Sequence, residues 1–243
     1  MDVSGKVVLV TGASTGIGAA AARLLAEKGA RLALSARSVD KLERLSAELP
    51  GSAVFPVDMC DEAGVRKMVA DVAEHFGRLD VLINNAGRGM HGPLEAIDTS
   101  EYRGLIELNL IGPLVAMQAA IPLMRAQGGG AIVNISSGTA LMYSPGLSGY
   151  SATKRALNGL SLTARNELAD DGIVVSVVYP YVTASDFYNN WVSDQTHVRT
   201  AGDYLTAGRP PADSCEYVAD LIEQVLLTGD AEIHAHDWMK GPR

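Results

Sequence analysis

Thr11-Gly12-Ala13-Ser14-Thr15-Gly16-Ile17-Gly18 joins two segments of different period. Residues 7–10 before it are Val-Val-Leu-Val, an unbroken apolar run of strand composition, and residues 17–28 after it are Ala-rich with a helical repeat. A strand that runs through closely spaced glycines into a helix opens a βαβ unit. The same switch of period recurs along the chain. Strand candidates lie at residues 32–35, 53–57, 81–83, 132–135 and 174–178, and helical stretches at 39–49, 62–76, 101–125 and 150–169. The strand runs are nearly all apolar rather than alternating, so both faces of the sheet must be covered, which requires parallel strands with helical crossovers. Residues 231–238 read as a seventh strand. The expectation is an α/β, doubly wound parallel sheet of about seven strands, with residues 1–243 forming one domain.

Composition narrows the function classes. The chain has 243 residues, 47% hydrophobic and 20% charged, which excludes a disordered or collagen-like protein. Its net charge is −8 and no run of Lys and Arg could neutralise successive phosphates, so neither nucleic acid nor an acidic surface is an expected partner. Cys60 and Cys215 fit neither a disulfide framework nor a zinc site. Residues 1–6 lack a basic start followed by an apolar stretch, so a cytoplasmic location is expected. The most apolar long run, residues 110–124, is interrupted by Gly112, Pro113, Gln118 and Pro122. It falls short of the roughly 18 to 20 residues that cross a bilayer, so no membrane association is expected.

Glycines at 12, 16 and 18 let the backbone turn sharply and let a phosphate approach amides at a helix start, where the helix dipole is positive. The competing reading of residues 11–18 is a tight strand-to-helix turn without a ligand. At the end of the second strand the sequence is Leu34-Ser35-Ala36-Arg37-Ser38. Sites that hold both ribose hydroxyls of NAD carry a carboxylate about 20 residues after the glycines, and none stands here. Ala36 leaves room, and Arg37 offers a planar cation to a 2′-phosphate, which favours NADP(H) over NAD(H). A solvated surface Arg is the alternative.

Tyr150 and Lys154 are four residues apart at the start of a helical stretch and therefore share a face. A cation beside a phenol favours phenolate, and moving a Tyr from near 10 toward neutrality takes roughly 3 to 4 kcal/mol. Taken by itself the pair is an ordinary surface spacing. Its company changes that: residues 132–135 end in Ser136-Ser137, residues 81–83 are followed by Asn84-Asn85-Ala86-Gly87, and Asn109 sits in the next helix. All stand where open α/β sheets bind ligands, at the carboxyl ends of strands.

With these five motifs in order, the sequence resembles the short-chain dehydrogenase/reductase family from about Lys6 to Asp186. The resemblance implies a Rossmann fold and an NADP-dependent oxidoreductase that moves a hydride between the cofactor and a carbonyl or secondary alcohol of a small metabolite. It implies that Ser137 orients the substrate oxygen, Tyr150 passes the proton, Lys154 holds the nicotinamide ribose while lowering the Tyr150 pKa, and Asn109 anchors a water in the relay. Gly12, Ser14, Thr15, Gly16, Ile17 and Gly18 would hold the pyrophosphate. Asp58 with Met59 would meet the adenine, and Asn85, Ala86 and Gly87 would line the cofactor. A homo-oligomer, dimer or tetramer, is implied as well.

Two departures stand out. Relatives commonly carry Pro-Gly after the sixth strand, whereas this chain has Pro180-Tyr181, so the backbone must keep φ negative or accept strain. Thr183 and Ser185 still stand where contacts to the carboxamide are implied. Residues 179–204 hold six of the 13 aromatic side chains, and residues 184–212 read as a substrate lid, a subunit interface or plain packing. His234 and His236 would share a strand face, without further ligands for a metal, and His91 would either reach the substrate or be a solvated loop residue. The expected activity is carbonyl reduction or alcohol oxidation. The alternatives are a non-catalytic cofactor-sensing regulator on the same fold and a 3-oxoacyl thioester reductase.

Overall fold

The computed structural model describes residues 1–185, 187, 192–193 and 210–240. Seven parallel strands form one sheet: β1 (Val7–Thr11), β2 (Arg31–Ser35), β3 (Ala53–Val54), β4 (Val81–Asn84), β5 (Gly130–Ile135), β6 (Ile173–Tyr179) and β7 (Glu232–His234). Their order is β3-β2-β1-β4-β5-β6-β7. The order reverses direction between β1 and β4, where Val8 pairs with both Leu32 and Val81. This is the switch point at which the two crossover loops part and leave a crevice.

Successive β1 side chains serve opposite layers. Val8 and Val10 pack into a core with the helices α1 (Gly16–Glu27) and α7 (Cys215–Thr228). Val7 and Leu9 pack into a second core with α3 (Glu62–Phe76) and α5 (Gly112–Ala126). A strand buried on both sides has no polar face to show, which is why its sequence does not alternate. Helices α2 (Val39–Glu48), α4 (Thr99–Ile106) and α6 (Ser148–Glu167) complete the layers.

Several elements differ from the sequence expectation. β3 is only two residues long and β7 three, because Asp237–Lys240 turns into a 3-10 helix instead of extending the strand. The periodic reading passes over α7, although Ser214 caps its start through the Tyr217 N–H and Gly229, in the left-handed region, ends it. A pair of two-residue strands, Met90–His91 and Val192–Ser193, is too short for any alternation to show. The expected single helix over 101–125 is broken by a π-turn at Glu107–Ile111, where the Gly112 N–H donates to the Glu107 carbonyl five residues back. The whole run Thr99–Ala126 is long and apolar enough to match a bilayer span, which the shorter sequence window missed. Burial of Val115, Ala116, Met117, Ala120 and Met124 against the sheet accounts for that apolarity.

Candidate active site

A cavity of about 580 Å³ opens at the carboxyl ends of the strands, along the switch point. Its first end is made of backbone. Thr11 Oγ1 accepts from the N–H groups of Asn85 and Ala86, both at 3.1 Å, and Asn85 Nδ2 donates to the carbonyls of Thr11 at 3.0 Å and Gly12 at 3.2 Å. The Asn-Asn-Ala-Gly segment thus braces the glycine loop besides lining the cavity. Gly12 has φ +66, and a Cβ on Gly18 would lie 2.4 Å from the Gly12 carbonyl oxygen and 2.5 Å from Asn85 Nδ2. Gly18 is therefore packed beneath the loop, and it is absent from the lining while Gly12, Ser14, Thr15, Gly16 and Ile17 are present. The first turn of α1 has no side-chain cap and no acidic residue. Its amides face the cavity with their positive dipole end uncompensated, as a bound pyrophosphate requires.

Arg37 stands exposed on the rim beside Ser38 and Lys41, and among the described residues neither Arg37 nor Lys41 has a carboxylate partner. Lys41 was not singled out from sequence; it reaches the same rim from the first turn of α2. Asp58 and Met59 line the same end, where the Asp58 carboxylate accepts from the Cys60 N–H at 3.0 Å.

The second end is made of buried side chains. β5 delivers Ser137 and α6 delivers Tyr150 and Lys154 to one wall. The Tyr150 hydroxyl is hydrogen-bonded to Ser137, and Lys154 Nζ donates to the Ile135 carbonyl at 2.8 Å. Tyr150 is 5% exposed and Lys154 4%. Burial pushes the Tyr150 phenol up to about 12, opposed by donation from Ser137. It holds the Lys154 ammonium down to about 8. Desolvation is the largest cause of the Tyr150 shift, and Lys154 is not among its causes. Both groups lose water together, and desolvation disfavours the charged form of each.

Asn109 lies within the π-turn rather than in a regular helix, and it does not line the cavity. Its Nδ2 donates to the Arg88 carbonyl at 2.9 Å and to Thr153 Oγ1 at 3.2 Å, while Oδ1 accepts from the Arg88 N–H at 3.0 Å. Both amide protons are thus engaged, and the side chain fixes the segment behind Gly87. A Cβ on Gly87 would lie 3.2 Å from Asn109 Oδ1 and 3.5 Å from Lys154 Nζ, so that glycine separates the two. The wall also contains Thr139, which sequence reasoning missed, and Phe187, one of the aromatic side chains of the 179–204 segment. The Phe187 ring lies 6.1 Å from that of Tyr150.

Pro180, Tyr181, Thr183 and Ser185 all line the cavity. Among the described residues only glycines have positive φ, so Tyr181 takes the place of the usual glycine without that strain. Its ring packs edge-on to His236 at 5.5 Å and Trp238 at 5.2 Å. Thr183 Oγ1 donates to the Tyr181 carbonyl at 3.0 Å, and Ser185 Oγ accepts from the Phe187 N–H at 3.4 Å. Asp213 clamps this loop: its N–H donates to the Val182 carbonyl and its carbonyl accepts from the Ala184 N–H, each at 2.8 Å. His236 Nε2 lies 3.1 Å from both Asp213 carboxylate oxygens. His234 stacks on Tyr179 at 4.6 Å. The His91 ring lies against Gly146, outside the cavity wall. Most of residues 184–212, the expected lid, lie outside the described residues.

The family model for short chain dehydrogenases matches residues 6–196. An uncharacterized oxidoreductase of Listeria innocua is 33% identical over 248 residues, covering 100% of this chain and 98% of its own. A 3-oxoacyl-(acyl-carrier-protein) reductase, FabG, of Staphylococcus aureus is 39% identical over 186 residues, 74% of this chain and 76% of the relative. Among solved structures, a short-chain dehydrogenase from Streptomyces avermitilis superimposes with a TM-score of 0.85 at 33% identity, covering 98% of this chain and 92% of that one. Levodione reductase gives 0.86 at 28% identity, with 95% and 96% covered. The match spans the glycine loop, the buried wall and the strands that carry them, and the chain belongs to the short-chain dehydrogenases, an oxidoreductase family.

Proposed function

We propose that the chain transfers a hydride between NADP(H) and the carbonyl or secondary alcohol of a small, rather apolar metabolite. The observation that carries this reading is the meeting of Ser137, Tyr150 and Lys154 on one wall of a cavity whose other end presents uncapped helix amides and the exposed cations Arg37 and Lys41. These residues fit a dinucleotide. The first turn of α1 would hold the pyrophosphate, Arg37 and Lys41 the 2′-phosphate, and the 180–185 loop the carboxamide. Bound there, the nicotinamide supplies or accepts the hydride.

The chain's own groups manage the proton and the charge. Tyr150, held protonated well above neutral pH by burial, is set to give its proton to a carbonyl oxygen. Ser137 donates to that same oxygen, and the Lys154 ammonium lies on the same wall, so negative charge on the oxygen is neutralised as it forms. Met142, Pro145, Leu147 and Phe187 give the substrate end an apolar wall.

A 3-oxoacyl thioester is the second substrate reading, favoured by the Staphylococcus aureus relative's activity. A cofactor-sensing regulator would have no use for the Ser137–Tyr150 pair. The test is turnover of diacetyl, benzaldehyde, menadione and acetoacetyl-coenzyme A, each with NADPH and with NADH. Turnover is expected with NADPH, and Tyr150→Phe should lose about a hundredfold or more of it. Full activity in Tyr150→Phe would reject the mechanism, and preference for acetoacetyl-coenzyme A would select the thioester.

A further inference from the structure

A serine hydroxyl has one proton to give and two lone pairs with which to accept. At Ser137 both acceptor places are taken by one residue, since the Thr139 N–H donates to Oγ at 3.2 Å and the Thr139 hydroxyl donates to it at 3.0 Å. The Ser137 proton is then the group's remaining capacity, and the Tyr150 hydroxyl is the hydrogen-bond partner left to receive it. We propose that Thr139 is a positioning residue for the reaction, whose hydroxyl makes Ser137 an obligate donor, to the phenol in the free site and to the carbonyl oxygen once that oxygen binds beside it. This deepens the function proposed above and rests on it.

The two Thr139 bonds differ in purpose. The N–H bond caps the 3-10 turn Gly138–Leu141, for which Ser137 is the N-cap residue, and it depends on backbone alone. The hydroxyl bond adds nothing to that cap. It does polarise the Ser137 O–H, because a hydroxyl that accepts becomes a better donor in a chain of hydrogen bonds. Without it Ser137 Oγ regains a lone pair and its hydroxyl can turn to accept from Tyr150, which would spend the phenol proton on the wrong oxygen. The threonine methyl is not needed for any of this, so serine should serve at position 139 and valine should not.

Thr139→Val, Thr139→Ser and Ser137→Ala in the full chain separate the possibilities. The first readout needs neither cofactor nor substrate: the carbon-labelled tyrosine Cζ resonance of Tyr150, assigned by its absence in Tyr150→Phe. It should shift in Thr139→Val, in the direction produced by Ser137→Ala, and return in Thr139→Ser. The second is diacetyl reduction with NADPH. There kcat should fall about tenfold in Thr139→Val with KM and the NADPH Kd within about twofold, recover in Thr139→Ser, and show no further loss when Thr139→Val is added to Ser137→Ala. An unmoved resonance in a folded Thr139→Val overturns the proposal, as does an undiminished valine effect in the Ser137→Ala background. If Thr139→Val does not fold, Thr139→Ala carries the same expectations. Retained turnover in Tyr150→Phe would instead sink the underlying functional reading and leave the resonance result to judge Thr139.

Discussion

At one end of the cavity Arg37 and Lys41 stand in water, without carboxylate partners among the described residues, while at the other Tyr150 and Lys154 are almost fully buried. At the phosphate end the glycine loop is assembled from peptide groups and leaves no room for a side chain at Gly12 or Gly18. Its charges are exposed, so they select a ligand by attraction that salt can screen. The reacting end is assembled from side chains drawn from separate strands and helices, and its charges are shifted because water is excluded. One region binds by shape and field, and the other sets where a proton rests.

Gly18→Ala is the most severe way to break the phosphate end. Its Cβ would lie 2.4 Å from a backbone oxygen, so the loop must move. We expect dinucleotide binding to weaken beyond a hundredfold by fluorescence titration, with a stability loss of about 1 to 3 kcal/mol in a denaturant melt. Arg37→Ala should be milder and selective, raising the NADPH Kd about tenfold while leaving NADH within twofold. Equal losses for both would remove the 2′-phosphate from its role. The smallest effect comes from pH at the reacting end. Below about 8 Lys154 is charged and Tyr150 protonated, the form suited to reduction. As pH rises through about 8 the ammonium loses its proton first, while the phenol keeps its own. The kcat/KM for diacetyl reduction should therefore be level near pH 7 and fall severalfold by pH 9, and a level profile through pH 9 would show that the Lys154 charge is not used.

The sheet was legible because burial on both faces leaves nearly unbroken apolar runs, as at Val7–Thr11 and Ile173–Tyr179, where Ser176 is the one interior polar residue. The glycine loop was legible because only glycine meets its demands, and Tyr150 and Lys154 because a helix spaces them. What the sequence withheld depends on three-dimensional surroundings. The direction of the Tyr150 shift follows from desolvation, which no spacing reports. Asn109 looked like a residue of a regular helix because a π-turn leaves no mark on apolar periodicity. Thr139 differs from any loop threonine only in having Ser137 Oγ within 3.0 Å. The two-residue strands at Met90–His91 and Val192–Ser193 carry too few positions for a pattern.

The Asp213 clamp ties the wall of the cavity to the last part of the chain through His236. Losing that one contact, as in His236→Ala, would thus be felt as poorer cofactor retention, and an enzyme prepared that way would look intrinsically slow when it had merely lost its latch.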